Sequence, residues 1–140
     1  MPNHWLVKTE PSSYSFDDLQ RDGRAVWDGV ANPLALKHLR AMRRRDLAFV
    51  YHTGTEKSIV GIAEIHSDPY PDPNEDDARL VVVELRPRER LTRPIPLSEV
   101  KAQTKLATWE LARMPRLSVM PVEQWQWELI GKLSRQAIER

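Results

Sequence analysis

The chain has 140 residues, 41% hydrophobic and 29% charged, which is enough apolar mass for a single compact domain over residues 1–140 and too much for a disordered tail. Its 21 basic and 20 acidic side chains leave a net charge of +1, which speaks against a polyanion binder of the histone type. Without cysteine there is no disulfide, thiol nucleophile or thiolate metal site, and no apolar run approaches the roughly 18 residues of a membrane span, so the chain reads as a soluble, cytoplasmic protein.

The alternation of HWLVKT predicts a first strand over His4–Thr9, which Pro11 ends. Ser15, with Asp18 three residues on and Gly23 behind, marks a short helix. An extended piece follows over 25–28. Asn32 and Pro33 then read as an N-cap and first-turn pair, opening a helix through Met42 with Arg43, Arg44 and Arg45 in its last turn. DLAFVYH (46–52) and SIVGIAEIH (58–66), joined by TGTEK, predict a hairpin. DPYPDPNEDD (68–77) reads as an irregular exposed loop, and RLVVVELRPRER (79–90) as a strand that ends, bulges or lies at a sheet edge near Pro87. Ser98 reads as the cap of a small helix, LATWELARM as another, RLSV (116–119) as a short strand, and Pro121 as the start of a final helix with Val122, Trp125, Leu129 and Leu133 on one face. Strands scattered among short helices, without regular strand–helix alternation, predict an α+β fold with a curled, largely antiparallel sheet or barrel.

The chemical inventory is sparse. His4, His38, His52 and His66 are too spread out for a local ligand motif, so neither a metal nor a cofactor is expected. No phosphate-binding glycine motif or GxSxG elbow occurs. Among the carboxylates, Glu10, Asp28 and Glu64 fall where a cavity could form, and a carboxylate-only catalyst would draw its acid or base from them.

WLVKTEP (5–11), WDGVAN (27–32), DLAFVYH (46–52), GIAEI (61–65) and RLSVMPV (116–122) occur in the order found in the EVE domain, and the chain resembles that family over nearly its whole length. The resemblance implies a PUA-like fold, a mixed, barrel-like β-sheet flanked by short helices. It also implies a non-catalytic reader of DNA or RNA that holds a modified base, flipped out of its strand, in an aromatic-lined pocket. By this resemblance Trp27 is the stacking surface, with a core tryptophan as the alternative. Asn32 offers both a donor and an acceptor to a base edge, or serves only as an N-cap. Lys8, Thr9 and Glu10 line the rim or form an exposed strand end, and His52 is a pocket wall or a structural histidine. Ser118 bonds the ligand while Arg116 approaches a phosphate, or both belong to ordinary strand and surface.

Arg40, Arg43 and Arg44, with Lys37, Arg45, Arg86, Arg88, Arg90 and Arg93, are the candidate backbone contacts, a solvated face being the alternative. Trp5, Trp109, Trp125 and Trp127 are assigned to packing. The chain departs from the family's WDGVRNYQAR by carrying Ala31, Pro33, Leu34 and Leu36, and it lacks a longer tryptophan-bearing segment before residue 79. A monomer is favoured, and the alternatives to a reader are an enzyme acting on a modified nucleotide or RNA, with Glu10, Asp28 or Glu64 as acid or base, and a small-molecule sensor using the same pocket.

Overall fold

A computed structural model describes residues 3–136. β1 (His4–Thr9) forms where the alternation places it, but Trp5, Leu6 and Val7 are all buried because the strand is covered on both faces. α1 (Phe16–Asp22) starts in a full capping box between Ser15 and Asp18 and stops at left-handed Gly23. β2 (Ala25–Trp27) is followed by α2 (Pro33–Ala41), whose first turn donates the Ala35 N–H to the Asn32 side chain. β3 (Leu47–His52) and β4 (Ser58–Ile65) make the expected antiparallel hairpin.

Several elements differ from expectation. Arg43 to Arg45 lie beyond α2, in a turn, because Met42 is already extended and the Asp46 carboxylate takes the Arg43 N–H at 2.9 Å. The proline-rich loop contains β5 (Tyr70–Pro71), a two-residue strand on Val82 and Val81. β6 (Val81–Pro96) passes straight through Pro87 by a shift of register opposite Ile62 and Ala63. α3 (Leu97–Ala102) has Pro96, not Ser98, at its cap, and LATWELARM is helical only as α4 (Glu110–Arg113). β7 is Val119–Val122, three residues later than RLSV. Pro121 sits within that strand, opposite Trp5, which a sheet edge tolerates because no partner asks for its N–H. α5 therefore begins at Gln124, and its phase turns Gln126, Ile130 and Leu133 inward and leaves Trp125 42% exposed.

The strands form one mixed sheet in the order β2-β6-β4-β3-β1-β7, with β5 beside β6, curled into a half-barrel. Among the described residues only the β1–β3 pair is parallel, running from His4↔Leu47 to Thr9↔His52. The barrel interior, α1 and the inner faces of α2 and α5 share one apolar cluster. Among the described residues no helix is long and apolar enough to cross a membrane.

Two contacts fix this geometry. Asp46, 3% exposed, accepts from the Asn3 N–H, the Trp5 indole N–H and the Arg43 N–H, each at 2.9 Å, so the start of β1 and the turn after α2 hang on one carboxylate. Phe16, buried at the first position of α1, lies directly on Gly61, where a Cβ would fall 2.6 Å from its ring carbons. Gly61→Ala should therefore destabilise the fold by about 1–3 kcal/mol through overpacking. Asp46→Ala, which strands three donors, should cost about 3 kcal/mol, with Asp46→Asn milder because one acceptor oxygen remains. Urea denaturation of the three variants checks both expectations.

Candidate functional site

A cavity of about 340 Å³ opens where β1 ends beside β2. Backbone pairing assembles it. The Lys8 N–H donates to the Ser118 carbonyl at 2.9 Å, bringing the segment before β7 against the end of β1. The Thr9 hydroxyl donates to the Tyr14 carbonyl at 2.6 Å, folding the 10–14 loop back over the strand. Trp27, paired with Val83 on β6, forms the inner wall, and the Tyr14 ring meets it edge-on at 6.2 Å and 80°. Past Trp27 the chain turns at Gly29, whose φ of 77° suits glycine, and Asp28 to Val30 close the remaining side. On its other side this loop borders a second cavity of about 290 Å³, shared with Asp72, Asn74 and Glu75 of the proline-rich loop.

The cavity carries both signs of charge. Lys8 donates to the Pro115 carbonyl at 3.1 Å and stands 5.5 Å from the centre of the Tyr51 ring; burial lowers its pKa. Asp28 is exposed on the opposite lining. The Tyr14 phenol is pushed up to about 12, first by burial and then by its 2.8 Å hydrogen bond to Asp22.

Of the residues singled out from sequence, the structure gathers Lys8, Thr9, Trp27, Asp28 and Ser118 on this cavity. Trp27 is 8% exposed and part of the core, and it also lines the cavity. Asn32, Glu10 and His52 lie off the lining. The Asn32 oxygen is occupied by the Ala35 N–H at 3.0 Å. Glu10 turns outward over Gly54 and accepts from the Ser12 hydroxyl and N–H, bonds that lower its pKa. Buried His52 accepts the Phe16 N–H on Nε2 at 3.0 Å and has Glu56 at 2.7 Å from Nδ1, so it is a structural histidine that helps start α1.

The remaining candidates separate in the same way. Glu64 is tied to Arg86 at 2.5 Å and Arg88 at 3.7 Å. Arg40 and Arg43 spend their guanidiniums on the carbonyls of Arg79, Arg40 and Met42, Arg90 pairs with Asp17, and Arg93 grips Glu99 and the Leu133 carbonyl. Arg116 is exposed two residues before Ser118. Sequence reasoning missed Tyr14, because only the Thr9 hydrogen bond brings that loop residue back to the strand end.

The EVE domain profile matches residues 3–133. The chain belongs to the EVE domain family. Mouse thymocyte nuclear protein 1 is 32% identical over 95% of this chain and 74% of its own length. A Rhodopseudomonas palustris protein solved by NMR superposes with a TM-score of 0.90 at 42% identity, covering 94% of this chain and 92% of its own. The human THYN1 protein, in complex with DNA containing 5-methylcytosine, gives a TM-score of 0.89 at 28% identity, covering 97% of this chain and 99% of its own. The ASCH protein of Zymomonas mobilis, at 12% identity and a TM-score of 0.63, shares the fold. This EVE domain thus has the α+β, PUA-like architecture that its sequence predicts.

Tyr14 gives the cavity wall of this EVE domain a pH signature. A phenol with its pKa raised from the ordinary value near 10 to about 12 holds its proton more tightly in the folded state, so its contribution to stability is intact below pH 10 and is lost between pH 10 and 12. Tyr14→Phe should remove that part of the alkaline loss of Tm, read by comparing melting curves of the two proteins from pH 9 to 12.

Proposed function

We propose that this EVE domain is a non-catalytic binder of nucleic acid that takes a modified base, turned out of its strand, into the cavity between β1, β2 and the 28–30 loop. The observation that carries this reading is the cavity itself: an indole wall beside an ammonium and a carboxylate, in the fold of a relative that occurs in complex with 5-methylcytosine DNA. At about 340 Å³ it sits at the small end of ligand pockets, which suits one base. A single domain acting as a monomer in the reducing cytoplasm, without a cofactor, completes the proposal.

The energetics explain why these groups are needed together. Turning a base out costs a few kcal/mol, and stacking on an aromatic face returns about 1–3 kcal/mol. Trp27 supplies the stacking face and Tyr14 a second wall at right angles to it. Polar contacts supply the remainder. The Asp28 carboxylate accepts from an exocyclic amine, as acidic side chains do with cytosine N4, while Lys8 and the Ser118 hydroxyl donate to ring acceptors. Val26 and Val30 offer apolar surface to an added methyl group. Thr9 acts indirectly, by holding Tyr14 in place.

Tryptophan-fluorescence titration with DNA and RNA oligonucleotides, each plain or modified at cytosine or adenine, tests the reading. Saturable quenching should occur with a modified base, and Asp28→Asn, an exposed change with no cost to the fold, should weaken it about tenfold. Trp27→Phe keeps an aromatic wall and should bind several-fold more weakly, whereas Trp27→Ala, which empties a buried site, confounds binding with a loss of about 3–5 kcal/mol of stability. Wild-type affinity in both Asp28→Asn and Trp27→Phe would sink the site. A change in oligonucleotide mass on incubation, absent in Asp28→Asn, would replace this reading by catalysis.

A further inference from the structure

A second cleft shares no residue with the base cavity. It encloses about 250 Å³ and is lined by Arg44, Arg45, Glu64, Ile65, His66 and Arg86. The lining therefore holds three arginines and one carboxylate, and that carboxylate is already answered by Arg86 at 2.5 Å and by Arg88 at 3.7 Å from outside the cleft. Arg44 and Arg45 make no ion pair among the described residues, whereas Arg86, the third arginine of the lining, is bound to Glu64. The surplus of positive charge in this cleft is thus local, in a protein whose net charge is only +1.

The backbone that presents these arginines is strained. Arg45 has a φ of 82°, a left-handed conformation that glycine adopts freely and a side-chain-bearing residue adopts at a cost of order 1 kcal/mol. Three hydrogen bonds hold the turn there: Arg45 N–H to the Ile65 carbonyl at 2.8 Å, Arg44 N–H to Asp68 at 2.9 Å, and Arg43 N–H to the buried Asp46 at 2.9 Å. A strained residue over-determined by its surroundings, at the mouth of a charged cleft, is where function is to be sought.

We infer that this cleft is a phosphate-binding site. Guanidinium forks match the oxygens of a phosphate, two arginines that make no ion pair among the described residues supply them, and the imidazole of His66 carries a ring N–H in either charge state. In the sheet, Leu85 of β6 pairs on one side with Ile65, which lines this cleft, and on the other with Ala25, which lines the base cavity. The two sites therefore flank β6 at about two strand spacings, roughly 10 Å, or about three nucleotide steps of 3.4 Å along a strand. A backbone phosphate of the same nucleic acid satisfies this spacing, an assignment that rests on the proposed base-binding reading. A free phosphomonoester offers the same chemistry without it.

The test uses the double variant Arg44→Ala/Arg45→Gly, in which glycine relieves the strained φ, so that the fold is kept while both guanidiniums go. Calorimetry with inorganic phosphate, and with unmodified and modified DNA over a series of salt concentrations, provides the readouts. Loss of phosphate affinity by about tenfold, together with a DNA salt slope shallower by about 0.9 and an unchanged modified-to-unmodified ratio, supports a backbone phosphate site. Loss of inorganic phosphate binding with DNA binding untouched supports the site with a free phosphomonoester as its ligand. Phosphate affinity and DNA salt slope both equal to wild type overturn the inference. Failure of the base-binding reading shows separately, as absence of any preference for modified DNA in the wild-type protein.

Discussion

Asp46 is a carboxylate held out of water by three donors from three places in the chain, and the geometry of both candidate sites descends from it. Removing such a group from solvent is tolerated only when its oxygens are fully engaged, so the donors must stay where they are. Two of them, Asn3 and Trp5, fix the start of β1 against β3, and the parallel register then runs without a break to Thr9↔His52. At that far end the Lys8–Ser118 and Thr9–Tyr14 bonds form the mouth of the cavity between β1 and β2. The third donor, Arg43, holds the turn that carries Arg44 and Arg45. One buried group at one end of a strand pair thus sets positions at both ends.

The five tryptophans divide by what lies beside each indole. Trp5 gives its N–H to Asp46; Trp109 is 1% exposed in the core; Trp127 stacks on Phe49 at 3.9 Å, with His4 at 4.4 Å from it. Trp125 is in solvent with its N–H on Glu123, because α5 starts three residues later than Pro121 suggests and the whole face rotates. Of the five, Trp27 alone is both in the core cluster and on the cavity between β1 and β2. A wall built from a core residue is rigid, which lowers the entropic cost of binding a flat ligand against it.

Elements whose signals are local were legible in the sequence: the Ser15–Asp18 capping box, the Asn32–Pro33 helix start and the β3–β4 hairpin all form where their residues place them. Elements defined by partners were not. β7 is a strand because β1 lies beside it, and a proline in its middle conceals this from any local reading. β6 runs through Pro87 because a register shift absorbs the missing donor. The same division explains the site. Lys8, Thr9, Trp27 and Ser118 come together through strand pairing, but Asn32, Glu10 and His52 sit where backbone N–H groups are unsatisfied, and their polar atoms go to those groups first.

The departures at residues 31–36 then bear on selectivity. Leu36, where the family pattern has an arginine, is 3% exposed and packed in the core, and Pro33 is locked into the first turn of α2, so this helix start presents no long polar side chain to a ligand. Most arginines of β6 are likewise bound to Glu64, Asp17 or Glu99. On the proposed reading, recognition rests on one indole, one ammonium and one carboxylate, and an added methyl group is felt through apolar fit. Fit of that kind is worth only about 1–3 kcal/mol, or roughly 10–200-fold, because a hydrophobic wall rejects the missing methyl by an unfilled space and not by a stranded polar group. The remaining affinity must then come from phosphates, and Arg44 and Arg45, which make no ion pair among the described residues and line one cleft, are placed to supply part of it.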